Sequence, residues 1–196
     1  MSEVTWQALT PANWTDLEVV MGQRGGARGC WCMHWRLSFA RWQEGQGEGN
    51  RSALQERAEQ DPPPGVVCYR GQDPVGWVAI ADRSEYPRMQ RSPVTKPTDD
   101  TPVWVISCVL VRAGYRGHGL HPALINAACE FADHWNQDTV EAIPIEPKPG
   151  QRAGPDSAMT GIASSYAAAG FTEIARPKHD RPVMRRVLAE STSGTN

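Results

Sequence analysis

The stretch Val103–Trp135, VWVISCVLVRAGYRGHGLHPALINAACEFADHW, decides how this chain folds. Val103 to Val111 is an almost unbroken run of apolar and β-branched residues, the pattern of a strand covered on both faces. Glycines then stand at 114, 117 and 119, which lets the backbone turn sharply and bring bare N–H groups against a ligand. From Leu120 onward, Leu124, Ala127, Ala128, Phe131 and Trp135 recur at helical spacing. Pro122 falls in the first turn, where its missing N–H is not needed. The predicted unit is a buried strand, a glycine loop and an amphipathic helix whose positive end points at the loop. With Arg116, His118 and His121 beside that end, the natural occupant is a phosphate or pyrophosphate. The loop is not a P-loop, because no Gly-Lys-Ser/Thr follows, and it is not the GxGxxG dinucleotide loop.

Outward from this unit, the spacing predicts a short strand over 5–9, then Thr10 as N-cap and Pro11 opening a helix with Trp14, Leu17, Val20 and Met21 on its apolar face. Asn50 is a candidate cap for a helix that ends before Asp61 and the prolines at 62 to 64. Val66–Tyr69 and Val75–Ala81 read as an antiparallel hairpin. The stretch 83–101 carries three prolines and many polar residues, and so reads as a long insertion expected to cover the acceptor site. Behind the central helix come a strand over 139–145, a helix carrying Tyr166, and a closing hairpin over 171–175 and 182–188. Residues 1–188 form one expected domain, and 189–196 a flexible tail.

A chain of 196 residues that is 40% hydrophobic suits one sizeable core. A net charge of −2 gives no electrostatic case for a nucleic-acid or membrane partner. No run resembles a signal peptide or a spanning helix, so the expected location is cytoplasmic. The five cysteines are an odd number, and Cys68, Cys108 and Cys129 sit inside predicted elements, which argues against a disulfide framework.

The oddest composition is CWCMHWRLSFARW at 30–42. Cys30, Cys32 and His34 have metal-ligand side chains at a spacing of two, which an extended segment would place on one side. Three ligands without a clear fourth are not a structural zinc pattern, and no metal is expected. The plainer reading is that Trp31, Trp35, Phe39 and Trp42 pack the first helices onto a sheet.

Arg116-Gly117-His118-Gly119-Leu120-His121, following a strand that ends in Val111, resembles the coenzyme A loop of the GNAT superfamily of acyl-CoA-dependent N-acyltransferases, Q/R-x-x-G-x-G/A. It departs from that pattern at the sixth position, His121. SSYAAAGF at 164–171 is similar to the family's last helix. The resemblance implies an α/β fold with a mixed, mostly antiparallel sheet, helices on both faces and a splayed central strand pair. Pantetheine would lie in the splay, on main-chain groups of Val109, Leu110 and Val111. Arg116, Gly117, His118, Gly119 and Leu120 would take the pyrophosphate, and Tyr166 would be the general acid. Met159 stands where the family often carries a cofactor-holding asparagine.

Many family members carry a glutamate base on the central strand, but Trp104–Val111 contains no carboxylate. Glu141, then Glu146, are the nearest candidates in sequence. The family builds acceptor specificity from its first helices, so Trp31, His34, Trp35 and Arg36 become expected acceptor contacts. The activity implied is transfer of an acetyl group from acetyl-CoA to a primary amine, expected on a small molecule, by direct attack in a ternary complex. Cys108 as an acyl-cysteine nucleophile is a minor variant. The competing readings are a protein or peptide N-acetyltransferase, a non-catalytic acyl-CoA-binding or sensory module, and a metal or redox switch at Cys30–His34. A homodimer is an open expectation.

Overall fold

A computed structural model describes residues 3–151, 153–154 and 157–188. The expected tail at 189–196 lies outside the described residues. Seven strands form one sheet: β1 (Val4–Ala8), β2 (Gly65–Arg70), β3 (Asp73–Asp82), β4 (Trp104–Val111), β5 (Thr139–Ala142), β6 (Thr172–Lys178) and β7 (Arg181–Val187). Their order across the sheet is β1-β2-β3-β4-β5-β7-β6. Every neighbouring pair is antiparallel except β4 and β5, which are parallel.

The helices are α1 (Trp14–Met21), α2 (Phe39–Glu44), α3 (Glu48–Ala58), α4 (Pro87–Arg91), α5 (His121–His134) and α6 (Ala163–Ala168). The apolar stripe of α5 (Leu124, Ala127, Ala128 and Phe131) is buried on one face of the sheet with Val66, Val78, Ile106 and Val109. The opposite face carries Leu17 and Val20 of α1 and Leu54 of α3 against Val67 and Trp77. A third cluster joins Tyr86 and Met89 to Val105 and Val183. Helices on both faces of a mostly antiparallel sheet are the architecture that the family resemblance implied.

Two features of β4 open the sheet on one side. Its pairing with β5 stops at Ile106 opposite Ala142, whereas β4 itself continues to Val111. The two strands therefore part, and β4 residues 107–111 have no strand partner on that side. Its pairing with β3 slips between Ala79↔Cys108 and Ile80↔Ile106, leaving Ser107 as the extra residue of a bulge. A bulge reverses which side chains face which way. Accordingly Trp104 and Ile106 pack on the α5 side, then Val109 and Val111 do, while Cys108 and Leu110 turn to the α1 side.

Several local expectations shift. Asn50 does not cap: α3 begins earlier, and the buried Asn50 amide donates to the carbonyls of Gly29 and Trp42 at 3.1 and 3.0 Å. The strand expected over 139–145 pairs only to Ala142, and Ile145 keeps a single bridge to Ile162. The stretch 83–101 is not irregular throughout, since Arg83–Glu85 forms a helical turn and α4 follows. It contributes Arg83, whose guanidinium is ion-paired with Glu141 on β5. Arg185 on β7 holds the other oxygen of Glu141 at 2.8 Å and also grips Asp99 at 2.9 Å. The insertion is thus tied to the middle of the sheet by charge.

Glu141 is 1% exposed, so removing its charge leaves two guanidinium groups, on Arg83 and Arg185, without it. Breaking one partner of a buried pair costs about 3–5 kcal/mol. Glu141→Gln is expected to lower the urea midpoint accordingly with the slope unchanged; an unaltered midpoint contradicts the bracing role.

Candidate functional site

The gap opened by the parting strands continues into a cleft of about 910 Å³. Its floor is Cys108, Val109, Leu110 and Val111 of β4. One end is the glycine loop, with Tyr115, Arg116, Gly117, Gly119, Leu120 and His121. Gly117 and Gly119 have φ of +80° and +68°, and a Cβ at either would meet nothing within 4 Å. These glycines serve backbone conformation and an open approach, not tight packing. The α5 helix begins at His121, so its free N–H groups and positive dipole end lie at the loop. Arg116 folds back to donate from Nε to the Val111 carbonyl at 3.0 Å, which ties the loop to the strand end.

The other end is built from the segment between α1 and α3: Met21, Gly25, Gly26, Ala27, Arg28, Cys30, Cys32, His34, Phe39, Trp42, Gln43 and Gln46. This segment is coiled, not extended, with Trp31 and Cys32 at φ of +44° and +54°. Even so, Cys30, Cys32 and His34 all reach the cleft. The Cys32 thiol hydrogen-bonds Cys108, and this contact together with burial pushes its pKa well above the ordinary thiol value. Burial, then the neighbouring Cys32, raises that of Cys30, whose Sγ accepts from Trp42 Nε1 at 3.4 Å. Both thiols are therefore protonated at neutral pH. Among the described residues, no group of three or more His, Cys, Asp or Glu side chains is placed to hold a metal ion.

His34 stands edge-on to Trp35 and Trp42, with ring centroids 4.7 and 4.9 Å away. Burial, reinforced by the charge of Arg88, lowers its pKa to about 4, so the ring is neutral at pH 7. Arg88 Nη1 lies 3.2 Å from Nδ1. A guanidinium can only donate, so Nδ1 is the acceptor and the ring proton sits on Nε2. Arg88 belongs to α4, which gives the 83–101 stretch its link to the site; none of that stretch lines the cleft. The expectation that it covers the acceptor site is corrected to support from behind.

The sequence-derived site residues divide. Val109, Leu110, Val111, Arg116, Gly117, Gly119 and Leu120 line the cleft together; His118 is exposed in the same loop but outside the lining. Of the four expected acceptor contacts only His34 is in the cleft. Trp31 is 5% exposed, stacked on Trp14 at 5.8 Å, and fills the space beside Gly25, where a Cβ would fall 2.0 Å from the indole nitrogen. Trp35 packs against the third core cluster. Arg36 is ion-paired with Glu85, which also holds Arg57 at 2.5 Å, and lies over the Tyr86 ring at 4.7 Å. Buried aromatic surface and available charge partners claim these three, which side-chain type alone could not tell.

Glu141 is not among the lining residues, and both its oxygens are held by arginines, so the structure does not bring this carboxylate to the cleft. Glu146 is ion-paired with Arg176 on the surface. The Tyr166 hydroxyl is fully buried and donates to the Thr160 carbonyl at 3.0 Å. Burial pushes its pKa well above the phenol value. It too stands behind the lining, but the turn that holds it, Ala158–Thr160, contributes Ala158 and Met159 to the cleft wall. Phe39 and Trp42 were legible only as packing residues; Phe39 is 56% exposed, and that exposure depends on where α2 lands.

A cleft between parting β4 and β5, ending in a glycine loop at a helix start, is the arrangement that the resemblance to acyl-CoA-dependent N-acyltransferases implies. A model of the acetyltransferase (GNAT) family matches residues 31–152, and the chain belongs to that family. No curated protein sequence matches it. Among solved structures, the chain is similar to the NatC complex bound to Gag peptide and CoA, at 12% identity over 95% of this chain and 99% of that one, TM-score 0.53. It is similar to a GNAT-family acetyltransferase from Listeria monocytogenes, at 11% identity over 94% and 95%, TM-score 0.53. It is also similar to AAC(6')-Ib in complex with paromomycin and acetyl-CoA, at 15% identity over 99% of each chain, TM-score 0.51. Among the described residues, no helix is long and apolar enough to cross a membrane.

The His34 ring binds fewer protons folded than unfolded, because its folded pKa of about 4 lies below the ordinary value of 6.5. Stability is therefore expected to fall as pH drops through about 6.5 and to level off below about 4. Ring NMR is expected to report a neutral Nε2–H imidazole at pH 7 and, in Arg88→Met, a midpoint raised toward 6.5; a wild-type midpoint already near 6.5 contradicts the assignment.

Proposed function

We propose that this protein transfers an acetyl group from acetyl-CoA to a primary amine of a small molecule, by direct attack in a ternary complex. The observation that carries the reading is the continuity of one cleft from the unpaired edge of β4, through the glycine loop, to the start of α5. An unpaired strand edge can bind an extended amide-containing chain as an added strand. Pantetheine is such a chain, so main-chain groups of Val109, Leu110 and Val111 pair with its amides. The pyrophosphate sits on the N–H groups of the loop at the positive end of α5, where Arg116 and Gly117 to Leu120 lie. His121, neutral through burial, adds a polar ring at that end.

At the opposite end the amine nitrogen attacks the thioester carbonyl. A free N–H of β4 polarises the carbonyl, and the departing sulfur takes a proton. Tyr166 supplies that proton. Its high pKa keeps it protonated, and the turn holding its hydroxyl is the one whose Ala158 and Met159 border the cofactor space. Displacement of that turn by pantetheine frees the hydroxyl from Thr160. A volume of about 910 Å³ shared between the pantetheine arm and the acceptor favours a small molecule over a folded protein chain.

Acetyl-CoA at about 100 times its dissociation constant is expected to add about 2.7 kcal/mol of stability to the wild type. Gly117→Glu sets a carboxylate facing the pyrophosphate and is expected to lose that thermal shift. Gly117→Ala shares the cost of φ +80° without the charge and keeps most of it. A folded wild type that acetyl-CoA does not stabilise contradicts the reading. Tyr166→Phe is expected to lower kcat about 10²-fold with KM nearly unchanged, and equal kcat values remove Tyr166 from the mechanism.

A further inference from the structure

Three of the five cysteines of the chain, Cys30, Cys32 and Cys108, line the cleft. The other two, Cys68 and Cys129, lie in the core on the α5 face, where burial pushes both thiols up to about 12. Two separate backbone features bring Cys32 and Cys108 together. The bulge at Ser107 turns Cys108 to the α1 side of the sheet and onto the cleft floor. From the segment between α1 and α3, Trp31 and Cys32 both take left-handed backbone, with φ of +44° and +54°, a region that residues with a side chain rarely enter. The Trp31 N–H donates to the Gly25 carbonyl at 3.0 Å and the Met33 N–H to the Cys30 carbonyl at 2.9 Å, which holds this turn in place. The turn buries the Cys32 thiol where it meets the Cys108 thiol, with the Trp77 indole beside it. Strained backbone of this kind clusters at functional sites and switch regions.

The three thiols are not equivalent. Cys30 Sγ is engaged by Trp42 Nε1 at 3.4 Å. Cys108 is the partly exposed thiol and Cys32 the buried one. An accessible thiol next to a second that can resolve it is the arrangement of a redox-sensitive pair.

We infer that Cys32 and Cys108 are a dithiol that a low-molecular-weight disulfide, such as glutathione disulfide, converts into an intramolecular bond across the cleft floor. The Cys108 thiolate attacks one sulfur of the glutathione disulfide and displaces the other as a thiolate. The Cys32 thiolate then attacks Cys108 Sγ, the mixed disulfide breaks, and the second glutathione leaves. Two protein thiols are oxidised, one disulfide is reduced to two thiols, and the two protons lost by the cysteines are taken up by the glutathione thiolates. Formation of the bond does not depend on the transferase reading, but its effect on the donor does. Val109–Val111 carry the proposed pantetheine contacts and the glycine loop marks the phosphate end, so the acetyl group falls at the Cys108 end of the strand edge. A bond at Cys108 draws the Cys32 segment onto the floor and narrows that place.

The test is incubation of the folded, full-length protein with glutathione disulfide for several hours at about pH 8, then blocking of free thiols with N-ethylmaleimide and mass mapping of the peptides. One Cys32–Cys108 disulfide is expected, reversed by dithiothreitol, absent from folded Cys32→Ser and Cys108→Ser and retained in Cys30→Ser. Cys68 and Cys129 are expected to remain thiols. A wild type that stays reduced, that bridges Cys30 to Cys32, or that forms the Cys32–Cys108 bond only in urea overturns the inference. Desalted oxidised protein is expected to lose most of the thermal shift that acetyl-CoA gives the reduced form, and to regain it with dithiothreitol. An equal shift in both forms overturns the narrowing of the donor site. Acetyl-CoA that stabilises neither form contradicts the transferase reading and leaves the bond standing.

Discussion

The structure depends on the parting of β4 from β5. A parallel pair that ends at Ile106 and Ala142 leaves the rest of β4 with main-chain donors and acceptors on one side and no neighbouring strand. Main-chain polar groups left without a strand neighbour need partners, which is why this edge is the proposed seat of the pantetheine amides. The same strand runs straight into the glycine loop and α5, so the edge and the positive end of α5 lie along one cleft. The bulge at Ser107 completes the arrangement by turning Cys108 and Leu110 away from α5 and toward the acceptor end.

Among the described residues, the carboxylates near the cleft lie around it and not in its lining. Glu141 is consumed by Arg83 and Arg185, Glu85 by Arg36 and Arg57, and Glu146 by Arg176. The pairs of Glu141 and Glu85 tie the 83–101 stretch to the sheet and to α3, whereas the Glu146 pair lies on the surface. Buried pairs contribute more to uniqueness of arrangement than to net stability, and here they also remove the nearest carboxylates from chemistry. On the side built between α1 and α3, the described lining carries protonated Cys30 and Cys32, a neutral His34, the rings of Phe39 and Trp42, and Arg28.

Much of the donor half was legible in the sequence because it depends on local backbone. The apolar run, the glycines, Pro122 and the helical stripe each act within a few residues of themselves, and the loop residues named from them, His118 apart, line one cleft. The acceptor half was legible only in part. The aromatic segment 30–42 was identified as unusual, but which of its rings pack and which face the cleft depends on where α1, α3 and the 83–101 stretch settle. His34 faces in, whereas Trp31, Trp35 and Arg36 are claimed by Trp14, the third core cluster and Glu85. Glu141 was proposed from its nearness in sequence to the central strand; Arg83 and Arg185, far from it along the chain, hold it instead.

The sequence by itself determined the strand, loop and helix of residues 103–135, because hydrophobic periodicity and glycine conformation act at short range, and its resemblance to a family implied the sheet class. Only the tertiary structure decided the floor and far wall of the cleft. A bulge at Ser107 reverses the facing of Cys108, and ion pairs with partners up to 58 residues away withdraw the carboxylates. Long-range packing and electrostatic pairing are properties of the assembled sheet, and no single stretch of the chain carries them.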